Sequence, residues 1–463
     1  MSAYSPPTWK VNFSVSINPL TQGSKVAITG TFGAGKSVFM LSLLHHLHYL
    51  DPNYFRLGDK RAVKPTTLKG IRSLTVKQEN QIFPYRAFAQ RLMKPGGGLW
   101  PSRVNSVQRY KVIMRRSDRV KRDALEFFSF PLERMIDLPV AQTARYSDWA
   151  DQTLFRINED PQASRQARQY LQHLDAPDLQ PDRLTTVYKS ALTQFIFDYK
   201  TFCAPSTFMI DLEGARIDGG APEIVSQGRY LGIPPGEGKD AQEIVPLSGI
   251  ARLRVPGFVQ EQEQNYQAYR DQVLKPLFTE LNGCDSLIVL IDIPAILASG
   301  RGAYEEQAWL LNQLKRTLRA NRKGGQVVGR STIRKVAVIA NKSDLVRTFE
   351  RDARLPQLLR ELTDPFVEGL HKSIEIGRFL CSPCTATRPH SDPEMLIGRM
   401  IHGSKNPEKI ERPFFVPEIP RSWPETFSSK DYPFRKVWPP ALQAHEKLPR
   451  HHRLDDVCRF LLS

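Results

Sequence analysis

The run Gly30-Thr31-Phe32-Gly33-Ala34-Gly35-Lys36-Ser37 fits the pattern G-x-x-x-x-G-K-[ST] in every fixed position. Its chemistry is that of a phosphate cradle. Glycines let backbone N–H groups turn inward, and a helix N-terminus behind them adds partial positive charge. Lys36 would reach the β- and γ-phosphates of a nucleoside triphosphate, and the Ser37 hydroxyl would bind Mg²⁺. A second set, Asn341-Lys342-Ser343-Asp344, fits N-K-x-D. Asp344 would accept two hydrogen bonds from guanine, one from N1–H and one from the exocyclic amine. Adenine lacks those donors and would leave a buried carboxylate unpaired. Asn341 would bridge loops near the base edge, and the Lys342 stem would lie along the base plane. A third base-contacting loop is expected at residues 382–386, beginning with Ser382.

Sensing of Mg²⁺ and the γ-phosphate calls for an acid at a strand end, usually within D-x-x-G. Two places compete. Asp211-Leu212-Glu213-Gly214 follows the apolar Phe208-Met209-Ile210 and fits by letter. The end of the predicted strand 124–130 is favoured by topology but reads Ser129-Phe130-Pro131-Leu132.

These residues need particular elements to hold them. Residues 25–29 are short, apolar and β-branched, as a buried parallel strand should be. From Lys36, apolar residues recur at helical spacing as far as Pro52. Strands are predicted at 106–114 and 124–130, joined by a basic turn, and again at 285–292, 335–340 and 376–381. Residues 51–99 read as irregular. Helices are predicted at 146–149, 166–174, 188–202 and 260–281, the last with a new segment or a kink at Pro276. Further helices are predicted at 303–320, at 356–372 with a break at Pro365, and at 454–462. Residues 214–257 read as long Gly- and Pro-rich loops, and 388–450 as Pro-rich and non-repetitive.

Other clusters weigh toward structure. Cys381-x-x-Cys384 has no second pair nearby and reads as structural, not as a zinc or redox site. His45, His46 and His48 read as part of an ordinary amphipathic helix, and His451 with His452 as an exposed pair, in preference to metal ligands. Asp292, at a strand end, reads as a turn or capping residue beside the nucleotide pocket.

The chain has 463 residues, 41% hydrophobic and 24% charged, values of a globular protein. The apolar run 284–298 contains Asp285 and Asp292 and is too short to span a bilayer. No charged-then-apolar signal segment opens the chain, and its five cysteines are unpatterned, so a reducing cytoplasm is expected. The formal charge of +17 clusters at Arg115, Arg116, Arg119, Lys121 and Arg122, and again between Lys315 and Lys335. A solvated basic face accounts for it, with an anionic membrane surface as the leading functional alternative. Phe127-Phe128-Ser129-Phe130 does not fit an RNP pattern and no zinc-finger spacing occurs, which argues against nucleic acid.

In their order, these pieces resemble the YcjX-like P-loop GTPases, a family of bacterial stress-associated proteins. The resemblance rests on Gly30–Ser37, Trp100-Pro101, Leu125-Glu126 through Pro131, Glu133, Asp137-Leu138-Pro139 and Asp211–Gly214. It continues with Ile288–Asp292, Ser299-Gly300, Asn341–Asp344 and Arg453-Leu454-Asp455. It spans most of the chain and is faint over 146–283. The family typically has Asp-Tyr-Pro-Gly where this chain has Ser129-Phe130-Pro131-Leu132, and its counterpart of Asp211–Gly214 belongs to a separate loop. The resemblance therefore ranks the altered strand end above Asp211 as the metal sensor, leaves nucleotide binding intact and puts hydrolysis in question. It also sets Ser102 near a loop that would close on Mg²⁺. It further implies a cytoplasmic protein linked to envelope stress, peripheral to the inner face of the membrane, with an unidentified protein partner that includes membrane proteins among the options.

The expected fold is α/β, a G-domain-like P-loop NTPase with a mostly parallel sheet, helices on both faces and a large helical insertion. Residues 1–145 and 284–463 would form the nucleotide-binding domain with a Pro-rich C-terminal excursion, and 146–283 the insertion. The expected function is binding of GTP or GDP with Mg²⁺ and slow GTP hydrolysis. The alternatives are a non-hydrolysing, nucleotide-occupied switch or scaffold that controls a partner, and an ATP-binding P-loop protein.

Overall fold

Successive residues of the central strands enter two different cores. In β1 (Thr21–Gly30), Val26 and Ile28 join one hydrophobic cluster and Ala27 the other. In β5 (Ser286–Ile291), Ile288 and Leu290 go one way and Leu287, Val289 and Ile291 the other. A strand stretch covered on both faces needs apolar residues throughout, which is why residues 26–28 and 287–291 are apolar without a break. The structure is a computed structural model and describes residues 21–31, 33–49, 55–57, 68–74, 82–94, 97–101, 107–118, 120–198, 244–320, 331–401, 410–442, 446 and 449–462.

The remaining strands of the main sheet are β2 (Leu68–Leu74), β3 (Gln108–Arg116), β4 (Arg122–Pro131), β6 (Lys335–Asn341) and β7 (Glu375–Cys381). They pair in the order β2-β3-β4-β1-β5-β6-β7. From β4 to β7 every pairing is parallel, while β3 runs antiparallel to β4 and β2 antiparallel to β3. The α/β fold with a mostly parallel sheet is thus as expected. One face carries α1 (Lys36–Tyr49), α2 (Tyr85–Leu92) and, from the far end of the chain, Leu454, Val457, Cys458 and Leu461.

Between β4 and β5 the described residues are largely helical. They form α3 (Leu138–Gln142), α4 (Tyr146–Glu159), α5 (Pro161–Gln166), α6 (Arg168–Asp175), α7 (Pro181–Phe197), α8 (Gly249–Arg254), α9 (Pro256–Tyr269) and α10 (Lys275–Asn282). Their Trp149, Tyr170, Tyr188 and Tyr266 belong to the same continuous core as Phe128 and Val289 of the sheet. After β5 come α11 (Ile293–Ser299) and α12 (Arg301–Ala320); α13 (Thr348–Ala353) and α14 (Leu355–Val367) follow β6, and α15 (Leu454–Leu462) comes last.

Several local expectations need correction. Residues 51–99 are not all irregular, since they contain β2 and α2. The strand escaped notice because Leu68 and Ile71 are three apart, which breaks the period of two. A bulge between Leu68 and Gly70 absorbs the extra residue, so Leu68 pairs with Arg116 and Ile71 with Met114, on one face. Pro365 does not break α14. Leu358, Leu359, Leu362 and Phe366 stay buried across it; at about 1.5–3 kcal/mol per buried apolar side chain they outweigh a local cost of about 3 kcal/mol. Pro276 does start a new segment: a π-helical turn, Arg270–Leu274, separates α9 from α10 and sets the proline in the first turn of α10. Residues 388–450 include part of a second small antiparallel sheet, β8 (Thr387–Pro389), β9 (Met395–Gly398) and β10 (Arg412–Phe415). Its outer strands carry Pro389 and Pro413, which suit edges. Finally, α1 is not an ordinary amphipathic helix. Every residue from Phe39 to Leu47 is buried, His45 and His46 included, because the helix is covered on all sides.

Candidate nucleotide site

The sheet register brings the chemistry-bearing loops to one edge. Gly30 at the end of β1 pairs with Pro131 of β4 on one side and Leu290 of β5 on the other, and Ile291 pairs with Ala340 of β6. The P-loop, the end of β4, Asp292 and the N-K-x-D loop therefore all leave the sheet at its C-terminal edge, where α/β sheets bind ligands.

Gly33 and Gly35 have φ values of 76° and 90°, a left-handed turn into the first turn of α1. Packing there is close: a Cβ on Gly35 would lie 2.5 Å from Nδ2 of Asn341, and one on Gly30 would lie 2.7 Å from the Leu290 carbonyl oxygen. Lys36 and Ser37 are half-buried at the start of α1. The Lys36 ammonium donates to the carbonyls of Gly30, at 2.7 Å, and Thr31, at 3.0 Å. It is thus already folded back over the loop that a phosphate would enter. Thr31 and Gly33 are half-buried and Ala34 is buried; Phe32 lies outside the described residues.

The two loops are bonded together. Asn341 is buried and its Nδ2 donates to the Ala34 carbonyl at 2.6 Å, the bridging role expected of it. Lys342 has φ 56°, a left-handed conformation rare outside glycine and frequent at functional turns. Its ammonium lies 2.5 Å from Asp292 Oδ2, and Asp292 Oδ1 caps α11 by accepting from the Ala295 amide at 3.0 Å.

Asp344 is buried and its carboxylate is engaged by the loop after β7. Ser382 Oγ donates to Oδ1 at 2.7 Å, while the amides of Ala386 and Thr387 donate to Oδ2 at 2.8 and 3.3 Å. The Asp344 amide donates to Ser382 Oγ at 2.9 Å. Burial pushes the Asp344 carboxyl above its usual range, and these hydrogen bonds pull against that rise. Ser382 and Asp344, predicted as base contacts, are thus in direct contact. The Ala386 and Thr387 amides that complete the cluster were legible only as a loop expected after the last strand. Their position is held from far away: Ser382 and His452 exchange backbone bonds of 3.0 and 2.8 Å, and the Thr385 amide donates to Arg450 at 2.8 Å.

The candidate metal residues are distributed unevenly. Ser37 is at the site; Ser102 and Asp211 lie outside the described residues. Ser129 pairs with Ile28 and shares a face with Phe127, two residues before it, so it stands on the face that carries α1. Leu132 is not a loop residue free to swing. It opens a 3-10 turn, Leu132–Asp137, in which every residue is buried. Arg134 donates to Asp137 Oδ2 at 3.1 Å and to the Tyr269 hydroxyl at 2.5 Å, and that hydroxyl donates to Asp137 Oδ2 at 2.8 Å. The segment after β4 is thereby tied to α9.

Of the remaining clusters, His46 stacks on Phe55 at 5.5 Å and meets the edge of His451 at 4.6 Å. Among the described residues no group of three or more His, Cys, Asp and Glu side chains is arranged to hold a metal ion. Cys381 and Cys384 are buried thiols. Arg116, counted in the basic turn, is buried and forked onto Asp118 at 2.9 and 2.6 Å. No helix among the described residues is long and apolar enough to cross a membrane.

A model of the YcjX-like family, DUF463, matches residues 24–463. No curated protein matches the chain.

Proposed function

The chain belongs to the YcjX-like family, and from that premise we propose that it binds GTP or GDP with Mg²⁺ at the P-loop edge of the sheet and hydrolyses GTP slowly. The observation that carries this reading is the Asn341–Ala34 bond, which fastens an N-K-x-D loop to a P-loop across β5. Phosphate oxygens would take the Lys36 ammonium from the Gly30 and Thr31 carbonyls, a charge-assisted exchange. Guanine suits Asp344 because two backbone amides already donate to one of its oxygens, so N1–H and the exocyclic amine would replace donors of the same kind. A carboxylate has about four lone-pair sites, and three are used by the loop. Base entry therefore requires at least one of these three donors to move off Asp344.

Mg²⁺ would be held by Ser37, and it would supply charge neutralisation between the β- and γ-oxygens. Ser129 brings no charge to the strand end and Leu132 is packed in the core, so slow turnover follows. The non-hydrolysing reading, a nucleotide-occupied switch acting on a protein partner, is favoured by the same two residues. A cytoplasmic setting with a partner at the membrane, and a link to stress, follow from the family resemblance. Single-turnover hydrolysis of labelled GTP by the purified chain tests the enzyme reading. A slow, Mg²⁺-dependent release of phosphate is expected; release no faster than that of free GTP leaves the switch reading.

A further inference from the structure

Asp292 has two jobs in the fold, and they can be separated. Its Oδ1 caps α11, and its Oδ2 holds the Lys342 ammonium at 2.5 Å. The Asp292 side chain is 5% exposed and that of Lys342 37%. β5 lies between β1 and β6, so Asp292 rises between the P-loop and the N-K-x-D loop. Lys342 is thus pinned at both ends: its backbone is in the left-handed region, and its ammonium is on Asp292. Between those points the end of its stem lies beside the P-loop, where a Cβ on Gly35 would lie 3.9 Å from Lys342 Cε.

We propose that Asp292 is a positioning residue for the nucleotide, anchoring the Lys342 ammonium so that the stem forms a fixed floor under the guanine ring. The inference rests on the guanine-nucleotide reading of the site. A lysine side chain left loose samples many rotamers, and a ligand that needs it flat must order it at the cost of affinity. With the ammonium already anchored, that ordering occurs during folding, which is preorganisation in the strict sense. The partner charges also cancel locally, so the Asp292 carboxylate does not repel the phosphates.

Asp292→Asn distinguishes anchoring from capping, because asparagine caps a helix about as well as aspartate but offers no charge to the ammonium. GDP titration with a fluorescent analogue is expected to show affinity weaker by about three- to tenfold, the ordering cost of one long side chain. The thermal midpoint should stay near that of the wild type, whereas Asp292→Ala, which loses the cap as well, should lower both. In a Lys342→Met background, which keeps a stem without the ammonium, Asp292→Asn should add no further loss. Affinity that is unchanged or tighter in Asp292→Asn, with normal wild-type binding, overturns the inference alone. A further loss in the Lys342→Met background does so too. A wild type that binds no guanine nucleotide overturns the reading of the site and this inference with it.

Discussion

Lys36 rests on two carbonyls of its own loop, so its removal takes away the proposed phosphate ligand without opening the core. Lys36→Ala is expected to weaken GTP binding by about 2–5 kcal/mol, as for other truncated charge contacts, with circular dichroism unchanged. Asp344 differs because it is a structural acceptor as well as the proposed base contact. Asp344→Asn should cost GTP about 1.5–3 kcal/mol more than ATP, the worth of hydrogen bonds to a charged group. Its titration adds a direction. Burial raises the folded-state pKa above the ordinary 3.8, so the folded chain takes up this proton at higher pH than the unfolded one. Through that window the group's contribution to stability grows as pH falls. Guanine recognition runs the opposite way, since only the carboxylate accepts two donors. The preference for GTP over ATP should therefore shrink on acidification, beginning above the ordinary carboxylate range, as competition titrations across pH would read. At this scale the motif residues were legible because their types are dictated by ligand chemistry. The Asp292–Lys342 pair and the Ala386 and Thr387 amides were not, because nothing in the spacing of residues 292, 342 and 386 says that they meet.

The elements around the strand end decide what a reversion toward the family pattern would do. Ser129 stands on the α1 face and is 7% exposed, so Ser129→Asp buries a carboxylate that only a cation would make tolerable. Mg²⁺ is expected to raise the thermal midpoint of Ser129→Asp more than that of the wild type, and GTP turnover should rise with it. Leu132→Gly is a poorer test, since Leu132 is fully buried; the cavity should cost about 2–5 kcal/mol in urea unfolding. Asp211→Ala is the control. If it abolishes turnover while Ser129→Asp changes neither Mg²⁺ response nor rate, the sensor is Asp211-Leu212-Glu213-Gly214. That residues 25–29, 285–292 and 335–340 form buried strands was within reach of the sequence, because apolar runs imply strands covered on both faces; their order in the sheet was not. The burial of residues 132–137 was not, because it depends on Tyr269 and α9, more than a hundred residues away in the chain.

Across the whole molecule, the C-terminal segment closes the α1 face of the sheet. Lys335 donates to the Phe460 carbonyl at 2.9 Å and Arg459 to that of Arg56 at 2.6 Å, so α15 is tied to both β6 and the loop after α1. Just before α15, His451 meets the His46 ring, which also stacks on Phe55. Burial, then the neighbouring His451 and His45, push its pKa from 6.5 down to about 3. Above pH 6.5 the ring is neutral in both states and has no effect on stability. Below it the unfolded chain gains a proton that the folded chain refuses until about pH 3, so stability falls through that window. One unit below the unfolded pKa the loss from this group is about 1.4 kcal/mol. His46→Leu should reduce the fall in urea unfolding free energy between about pH 7.5 and about pH 5.5 by that amount; an unchanged fall would show that the ring is accessible to protons in the fold. α15 itself was read from the sequence at Leu454–Leu462, from its periodicity. Its docking site was not, since an apolar stripe says that a helix is covered and not by what.

Guanine-nucleotide binding at the joined P-loop and N-K-x-D loops is tested most directly by equilibrium titration of the purified chain with a fluorescent GDP, competed by GTP, GDP and ATP in turn. GTP and GDP are expected to displace the probe with similar affinity and little dependence on Mg²⁺, with ATP far weaker. Displacement by ATP as readily as by GTP, or no binding of the probe by the folded wild-type chain, would contradict it.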